Sequence, residues 1–490
     1  MRLARASALA SSSLLALTIG CGGAVAPPES KPPRPALSWS TCPDARELEC
    51  ATFSVPRDHA RPTSGEVFTL PVARRTAAKP SERIGSLIVN PGGPGLSAIT
   101  FLQTSHFLFP WSIRDHFDIV AFDPRGLSTT TPKLDCVDDL EPLVSIDPTP
   151  DDAAELAQIQ AAADAVVSGC KRRSGGILSL VGTQNVARDM DLLRKALGDE
   201  SLTYLGLSYG TFLGAVYADL YPQNIRAMVL DSARDPKITA AEWLRGQALG
   251  FEAQLEAFLA DCKENPRCPF HSDGDPHRAY DALLAKVESS PIPAGSTGRS
   301  LGPGQWLWAV AAALYSPDAW PVLGMALLSA ANGDATRMLE LADGYLERAP
   351  DGTYSDAQEL FYAVHALDMP FSVDMYEPLV RELRKKAPRL GAYLPYTTAV
   401  SARWPAPPTR KPGPIVAKGA PPILVVGVAE DAATPFASSA SLAAELSSGV
   451  LLAREGKGHI AFLRGNRCID DAVAAYLVNL TVPANGTRCK

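Results

Sequence analysis

The pentapeptide Gly206-Leu207-Ser208-Tyr209-Gly210 stands between an apolar run, 202–205, and an Ala-rich amphipathic segment, 211–221. Its residue types suit nucleophilic catalysis. A serine on a sharp strand-to-helix turn presents its hydroxyl above a sheet edge, and flanking glycines are required where a Cβ would strike neighbouring backbone. A serine hydroxyl is a poor nucleophile at neutral pH until an imidazole takes its proton and a carboxylate orients that imidazole. Ser208 therefore predicts an acid and then a histidine further along the chain.

Of the seven histidines, His271, His277, His365 and His459 follow Ser208. His459 closes Gly456-Lys457-Gly458-His459, just after the strand-like run 450–454, and is the expected base. His271 and His277 follow a Pro/Gly-rich turn and His365 sits in a helical pattern, positions that suit structural roles. The acid is expected after the buried parallel-type run 422–428, which leads into Glu430-Asp431. The shorter carboxylate, set in the turn Asp431-Ala432-Ala433-Thr434-Pro435, favours Asp431, with Glu430 as the adjacent alternative.

A tetrahedral intermediate also needs two N–H groups aimed at its oxyanion. One is expected from Tyr209, the residue after the nucleophile. The other is expected from Pro91-Gly92-Gly93-Pro94-Gly95, directly after the strand-like run 87–90, where a Gly-Gly pair lets backbone approach a substrate closely.

The elements that must hold these groups fall into two kinds. Strand signals occur near 68–74, 86–90, 118–123 and 227–231; the third ends in Asp123-Pro124-Arg125-Gly126, a turn, and an acidic surface excursion follows at 137–152. A helix over 185–197 precedes the serine turn. Beyond 231 the pattern changes to amphipathic helices over 243–259, 305–315, 320–331, 335–346 and 355–367, and strand signals vanish until Ile423. This organisation predicts a strand-bearing core over 39–232 and 405–490, interrupted by a helical cap over 233–404. The cap aromatics Trp243, Trp306, Trp308, Tyr315 and Trp320 lie on or at the ends of its helices and read as core.

At 490 residues with 46% hydrophobic content, the chain can bury one large core plus an insertion. A net charge of -7 and the lack of a basic stripe argue against nucleic acid as a partner. The N-terminus reads as an export signal: a basic start, Met1 to Arg5, then a small and apolar stretch, 6–19. It runs into Thr18-Ile19-Gly20-Cys21, which resembles a bacterial lipobox except that leucine is preferred where Thr18 stands. Cleavage after Ala24-Val25-Ala26 would instead leave Pro27 at the new terminus. Residues 1–21 are thus expected to be a lipoprotein signal with Cys21 acylated, and the Pro-rich 22–38 a semi-extended tether. Nine cysteines less Cys21 leave eight, enough for four disulfides in an oxidising compartment. Local spacing pairs Cys42 with Cys50, Cys136 with Cys170, Cys262 with Cys268, and Cys468 with Cys489. Paired C-x-x-C or clustered histidines are lacking, so neither a metal nor another cofactor is expected.

An ordered series of blocks then carries a resemblance: Trp39 to Cys42, Cys50 to Pro56, Asn90 to Gly95, Asp123 to Gly126, Asn185 to Asp191, Tyr204 to Ala218, Asp431 to Pro435, and the tail from Cys468 to Cys489. From about Trp39 to its end the chain resembles the secreted tripeptidyl aminopeptidases, in the proline iminopeptidase branch of the α/β-hydrolases. The resemblance implies an α/β-hydrolase fold, with a mostly parallel central sheet and an inserted helical cap. It implies a serine exopeptidase that removes short peptides from free N-termini, with Ser208, Asp431 and His459 as its triad and Gly93 and Tyr209 in its oxyanion region. A cap carboxylate would bind the substrate ammonium, and Glu242, Glu252, Glu359 and Asp368 are the candidates. Three features depart from the family: Ala366 and Ser401 replace a cysteine pair, Leu96 follows the glycine-rich loop where a small residue is usual, and Ile460 follows His459. Fold and triad serve esterases as well as peptidases, so a carboxylesterase on the same triad is the alternative. The expected partners are a peptide or small acyl substrate, and a membrane only through the lipid anchor.

Overall fold

The computed structural model describes residues 37–295 and 297–490. The export signal, Cys21 and nearly all of the tether lie outside the described residues.

Among the described residues twelve strands are formed: β1 Ser40–Cys42, β2 Ala45–Pro56, β3 Val67–Arg75, β4 Gly85–Asn90, β5 Phe117–Phe122, β6 Leu202–Leu207, β7 Ile225–Asp231, β8 Ile292–Pro293, β9 Ser300–Leu301, β10 Ile423–Glu430, β11 Gly449–Lys457 and β12 Thr487–Cys489. Ten of them make one sheet in the order β1-β2-β3-β5-β4-β6-β7-β10-β11-β12. The first three run antiparallel to their neighbours, and every pairing from β5 to β12 is parallel.

Sequence explains the split. Gly85–Asn90, Phe117–Phe122 and Leu202–Leu207 are buried at every position, as expected of parallel strands covered on both faces. Alternate side chains then enter opposite layers. Ile88, Val120, Tyr204, Met228 and Val425 join the core cluster that continues into the long insertion. Leu87, Ile119, Leu205, Val229 and Leu424 join a second cluster that contains Ile469, Val473 and Leu477 of the last helix. Strand β2, by contrast, mixes buried and exposed positions.

Between β7 and β10 the chain builds helices, chiefly Ala240–Glu264, Pro276–Ser289, Pro303–Leu314, Trp320–Ala331, Thr336–Tyr345, Ala357–Asp368 and Tyr376–Lys386. The first is started by a capping box in which Thr239 and Glu242 satisfy each other's backbone amides. Strand structure is not wholly absent here, because β8 and β9 pair as a two-residue ladder. The acidic excursion also differs from a surface loop. Leu140 and Val144 are buried, and Glu141 accepts hydrogen bonds from Gln305 Nε2 at 2.9 Å and Tyr354 OH at 2.5 Å. Charge along this segment suggests solvent, but its carboxylate is turned toward the insertion and held between Arg299 and Arg348.

All four cysteine pairs expected from spacing are bonded: Cys42–Cys50, Cys136–Cys170, Cys262–Cys268 and Cys468–Cys489. The last ties the C-terminal helix to the edge strand β12. Arg125, fully buried, donates through Nε and Nη2 to Asp189 at 2.6 Å each. That pairing anchors the turn after β5 to the helix Thr183–Ala196, which precedes the serine.

Candidate active site

Ser208 sits between β6 and the helix Tyr209–Leu220 with φ 54° and ψ −124°. A non-glycine residue there carries roughly 1–3 kcal/mol of backbone strain, so its surroundings must hold it. They do so through three bonds. Ser208 N–H donates to the Asp231 carbonyl at 2.9 Å, and the Ser208 carbonyl accepts from Thr211 N at 2.9 Å and Thr211 Oγ1 at 2.5 Å. The flanking glycines have a steric reason: a Cβ on Gly206 would lie 2.3 Å from the Gly210 carbonyl oxygen, and one on Gly210 would lie 2.6 Å from that of Asn90.

The loop after β4 runs against this turn. A Cβ on Gly92 would stand 2.7 Å from the Leu207 carbonyl oxygen and 2.9 Å from Ser208 Cβ, and φ is +107° there. Asp123 at the end of β5 fixes the far side of the loop, accepting from Ser97 Oγ at 2.9 Å and Ile99 N at 3.2 Å. Gly93 and Tyr209 both line the cleft that Ser208 lines. Among the described residues neither amide donates to a protein acceptor, so both are available to an anion in the cleft. The Tyr209 side chain points away into the core. Its hydroxyl bonds Thr183 Oγ1, which donates to Asp368 Oδ2 at 2.5 Å.

Asp431 and His459 meet across the ends of β10 and β11. His459 Nδ1 lies 2.9 Å from both Asp431 oxygens. Oδ1 also accepts from the backbone amides of Ala433 and Thr434, at 2.9 Å each. A carboxylate can only accept, so Nδ1 carries the proton and Nε2 is left with a free lone pair. Nε2 is buried, has no hydrogen-bond partner among the described residues, and belongs to a residue lining the same cleft as Ser208. Serine–imidazole contacts are commonly loose before substrate binds. Glu430 takes no part: its side chain is half exposed and pairs with Lys457 Nζ at 3.2 Å.

The loop bearing His459 is held by a carboxylate that no catalytic pattern would mark. Asp231, fully buried at the end of β7, accepts from Ala461 N at 3.0 Å and Phe462 N at 2.8 Å. Burial pushes its pKa up to about 6, against the pull of those two amides. On the cap side, Tyr315 accepts the His459 backbone N–H at 2.8 Å and packs edge-on to the imidazole at 5.4 Å.

The cleft has a volume of about 450 Å³. Three of the five cap aromatics that read as core, Trp243, Trp308 and Tyr315, line it; Trp306 is buried against Tyr280, and Trp320 packs on Phe258. His365 lines it too, stacked on Trp243 at 4.6 Å. None of the four carboxylates weighed as an ammonium ligand does. Glu242 caps a helix; Glu252 accepts the amides of Arg389, Leu390 and Gly391; Glu359 accepts those of Cys136 and Val137; Asp368 accepts from Thr183. Among the described residues the one carboxylate on the cleft is Glu347, at its exposed rim, accepting from Ser355 Oγ at 2.5 Å. Nothing around Glu347 in the sequence singles it out, because its position depends on how the helix Thr336–Tyr345 ends.

Two family profiles match in chain order. One, described as the alpha/beta hydrolase fold, covers residues 85–274 and contains Ser208; the other, described as TAP-like protein, covers 387–489 and contains Asp431 and His459. The serine protease Hip1 of Mycobacterium tuberculosis is 34% identical over 96% of this chain and 95% of its own. Carboxylesterase B of the same species is 36% identical over 93% of this chain and 90% of its own. The tripeptidyl aminopeptidase of Streptomyces lividans is 29% identical over 93% of this chain and 87% of its own. Similarity that runs nearly end to end through both profiles leaves one assignment: the chain belongs to the TAP-like α/β-hydrolases.

Proposed function

We propose that the protein is an exported serine exopeptidase that releases short peptides, of tripeptidyl type, from free N-termini. Ser208 Oγ attacks the scissile carbonyl, His459 Nε2 takes its proton and returns it to the leaving amine, and Asp431 keeps the imidazole in the productive tautomer. The amides of Gly93 and Tyr209 receive the oxyanion, and water then releases the acyl group. The helical insertion over 233–404 forms the cap that limits how much chain can extend beyond the nucleophile. The observation that carries the exopeptidase reading is Glu347: a carboxylate alone among the described residues of a mainly apolar cleft suits a substrate ammonium at the rim. Relatives named serine protease and tripeptidyl aminopeptidase point the same way.

The likeness to carboxylesterase B favours a second reading, hydrolysis of acyl esters by the same residues. A free-amine tripeptide anilide, its N-acetyl counterpart and a short acyl ester separate the two. Turnover of the free-amine anilide with refusal of the acetylated one supports the exopeptidase; hydrolysis of the ester alone transfers the assignment to the esterase. The leader and the paired cysteines support a place in the bacterial envelope, with Cys21 as the lipid attachment point. Cys21→Ala should move the protein from the membrane to the soluble fraction, and unchanged membrane association in that variant would refute the anchor.

A further inference from the structure

The floor of the cleft carries a cation that the chemistry above does not use. Arg234, three residues beyond β7, is 5% exposed and lines the cleft with Ser208 and Tyr209. Its guanidinium carbon lies 4.6 Å from the centre of the Phe212 ring and 5.6 Å from that of Trp243. Phe212 is one turn along the helix that Ser208 begins, and its ring packs 6.3 Å from that of Tyr209. The cation therefore overlies a ring one helical turn from the nucleophile, in the cleft that both line.

Its hydrogen bonds are the unusual feature. The backbone N–H of Arg234 donates to Thr211 Oγ1 at 3.0 Å, but among the described residues the guanidinium donates to no protein acceptor and forms no ion pair, and its buried Nη1 is unsatisfied. A guanidinium has five N–H donors and no acceptor, and burying it unpaired among aromatic rings is costly. Neighbouring charges do not supply the missing partner. Asp368 lies within electrostatic reach, yet its oxygens are occupied by Thr183 N and Oγ1. Arg410, on the same Phe212 ring at 5.5 Å, adds a second cation. His365 stays neutral, its pKa held well down by burial and by Arg234. Asp219 and Glu445 act on Arg410 as well as Asp368 does, so of the two guanidiniums it is Arg234 that faces the cleft without a bonded counter-charge among the described residues.

We propose that Arg234 forms the subsite for a carboxylate on the acyl group, so that the enzyme prefers glutamate or aspartate as the residue immediately before the cleaved bond. The planar fork matches a carboxylate in two parallel hydrogen bonds, which gives orientation as well as attraction. This inference rests on the serine-hydrolase reading of the same cleft.

Matched free-amine anilides, Ala-Ala-Glu and Ala-Ala-Gln, test it in wild type, Arg234→Met and Arg234→Lys. Met keeps the stacking volume without the charge. In wild type kcat/KM for the Glu substrate should exceed that for Gln by about tenfold or more, the scale of one charge-assisted hydrogen bond; Arg234→Met should bring the two level and Arg234→Lys should keep part of the gap. Equal rates in wild type, or a preference that survives in Arg234→Met, would overturn the proposal. A second readout does not depend on peptide cleavage: protection of Ser208 from a fluorophosphonate label by glutarate against glutaramide, the neutral diamide. Glutarate should protect wild type at about tenfold lower concentration and lose that advantage in Arg234→Met. Failure of both anilides with this protection intact sinks the peptidase reading and sustains the carboxylate subsite; equal protection by the two compounds sinks the subsite.

Discussion

The two walls of the cleft are built by different rules. The wall made by the sheet is local. Ser208, the Gly92-Gly93 loop, Asp431 and His459 each stand within a few residues of a strand end, and parallel pairing of β4, β6, β7, β10 and β11 brings those ends together. The cap wall is assembled at a distance. Trp243, Glu347 and His365 come from separate helices and loops, Trp308 and Tyr315 from one further helix and its end, and across more than a hundred residues no short motif joins them. The sheet wall is thus written in segments that keep their meaning in isolation, whereas the opposite wall is written in contacts between helices.

The largest effects should fall on the sheet wall. Ser208→Ala should lower kcat about 10⁴-fold or more in a chromogenic assay, and a near-wild-type rate would break the division at its base. Asp431→Asn should lower kcat by roughly 10³- to 10⁴-fold by leaving the imidazole in the wrong tautomer. Glu430→Gln, one residue away, should stay within about twofold of wild type; comparable losses in both would show that the acid is not fixed by the turn after β10. On the cap wall, Glu347→Gln should raise KM for a free-amine tripeptide by roughly tenfold, the scale of one charged contact, with kcat and ester hydrolysis little changed. A fall in kcat for the ester as well would mean that the rim carboxylate acts on the reaction centre.

The smallest effect should be on stability. Burial raises Glu359 from the ordinary 4.5 to about 7, against the two amides it accepts. Between those values the folded state keeps a proton that the unfolded chain releases. This carboxyl therefore contributes stability below pH 4.5 that is lost as pH rises through 7. Glu359→Gln should gain in Tm relative to wild type as pH rises from 4.5 to 7.5, and a constant difference across that range would contradict the raised pKa.

The same contrast explains what could be read before any coordinates. The serine turn, the glycine loop, the strand leading to Asp431 and the cysteine pairs were legible because each is a short pattern with one steric or chemical meaning. Arg234 escaped notice because Asp231-Ser232-Ala233-Arg234-Asp235 reads as an ordinary polar turn; its burial follows from packing on Phe212 and Trp243. Glu359 and Asp368 looked available as substrate ligands, and instead the folded chain engages them with its own amides and hydroxyls. Trp243 and Tyr315 face the cleft although helical periodicity marked them as core, since a helix bordering an internal cavity shows the same apolar stripe as one packed solidly.

One close approach joins the two walls. A Cβ on Gly95 would lie 2.4 Å from the carbonyl oxygen of Ala357, the first residue of the helix that carries Phe361 and His365. The glycine loop and the cap are in van der Waals register at this point, with no space left for slip. A substrate that displaces the cap therefore pushes on the loop that carries Gly93, where a shift of about 1 Å is enough to cost two orders of magnitude in rate. If that contact transmits, a poorly fitting substrate would be both held weakly and cut slowly, like a key whose shape sets the travel of the bolt.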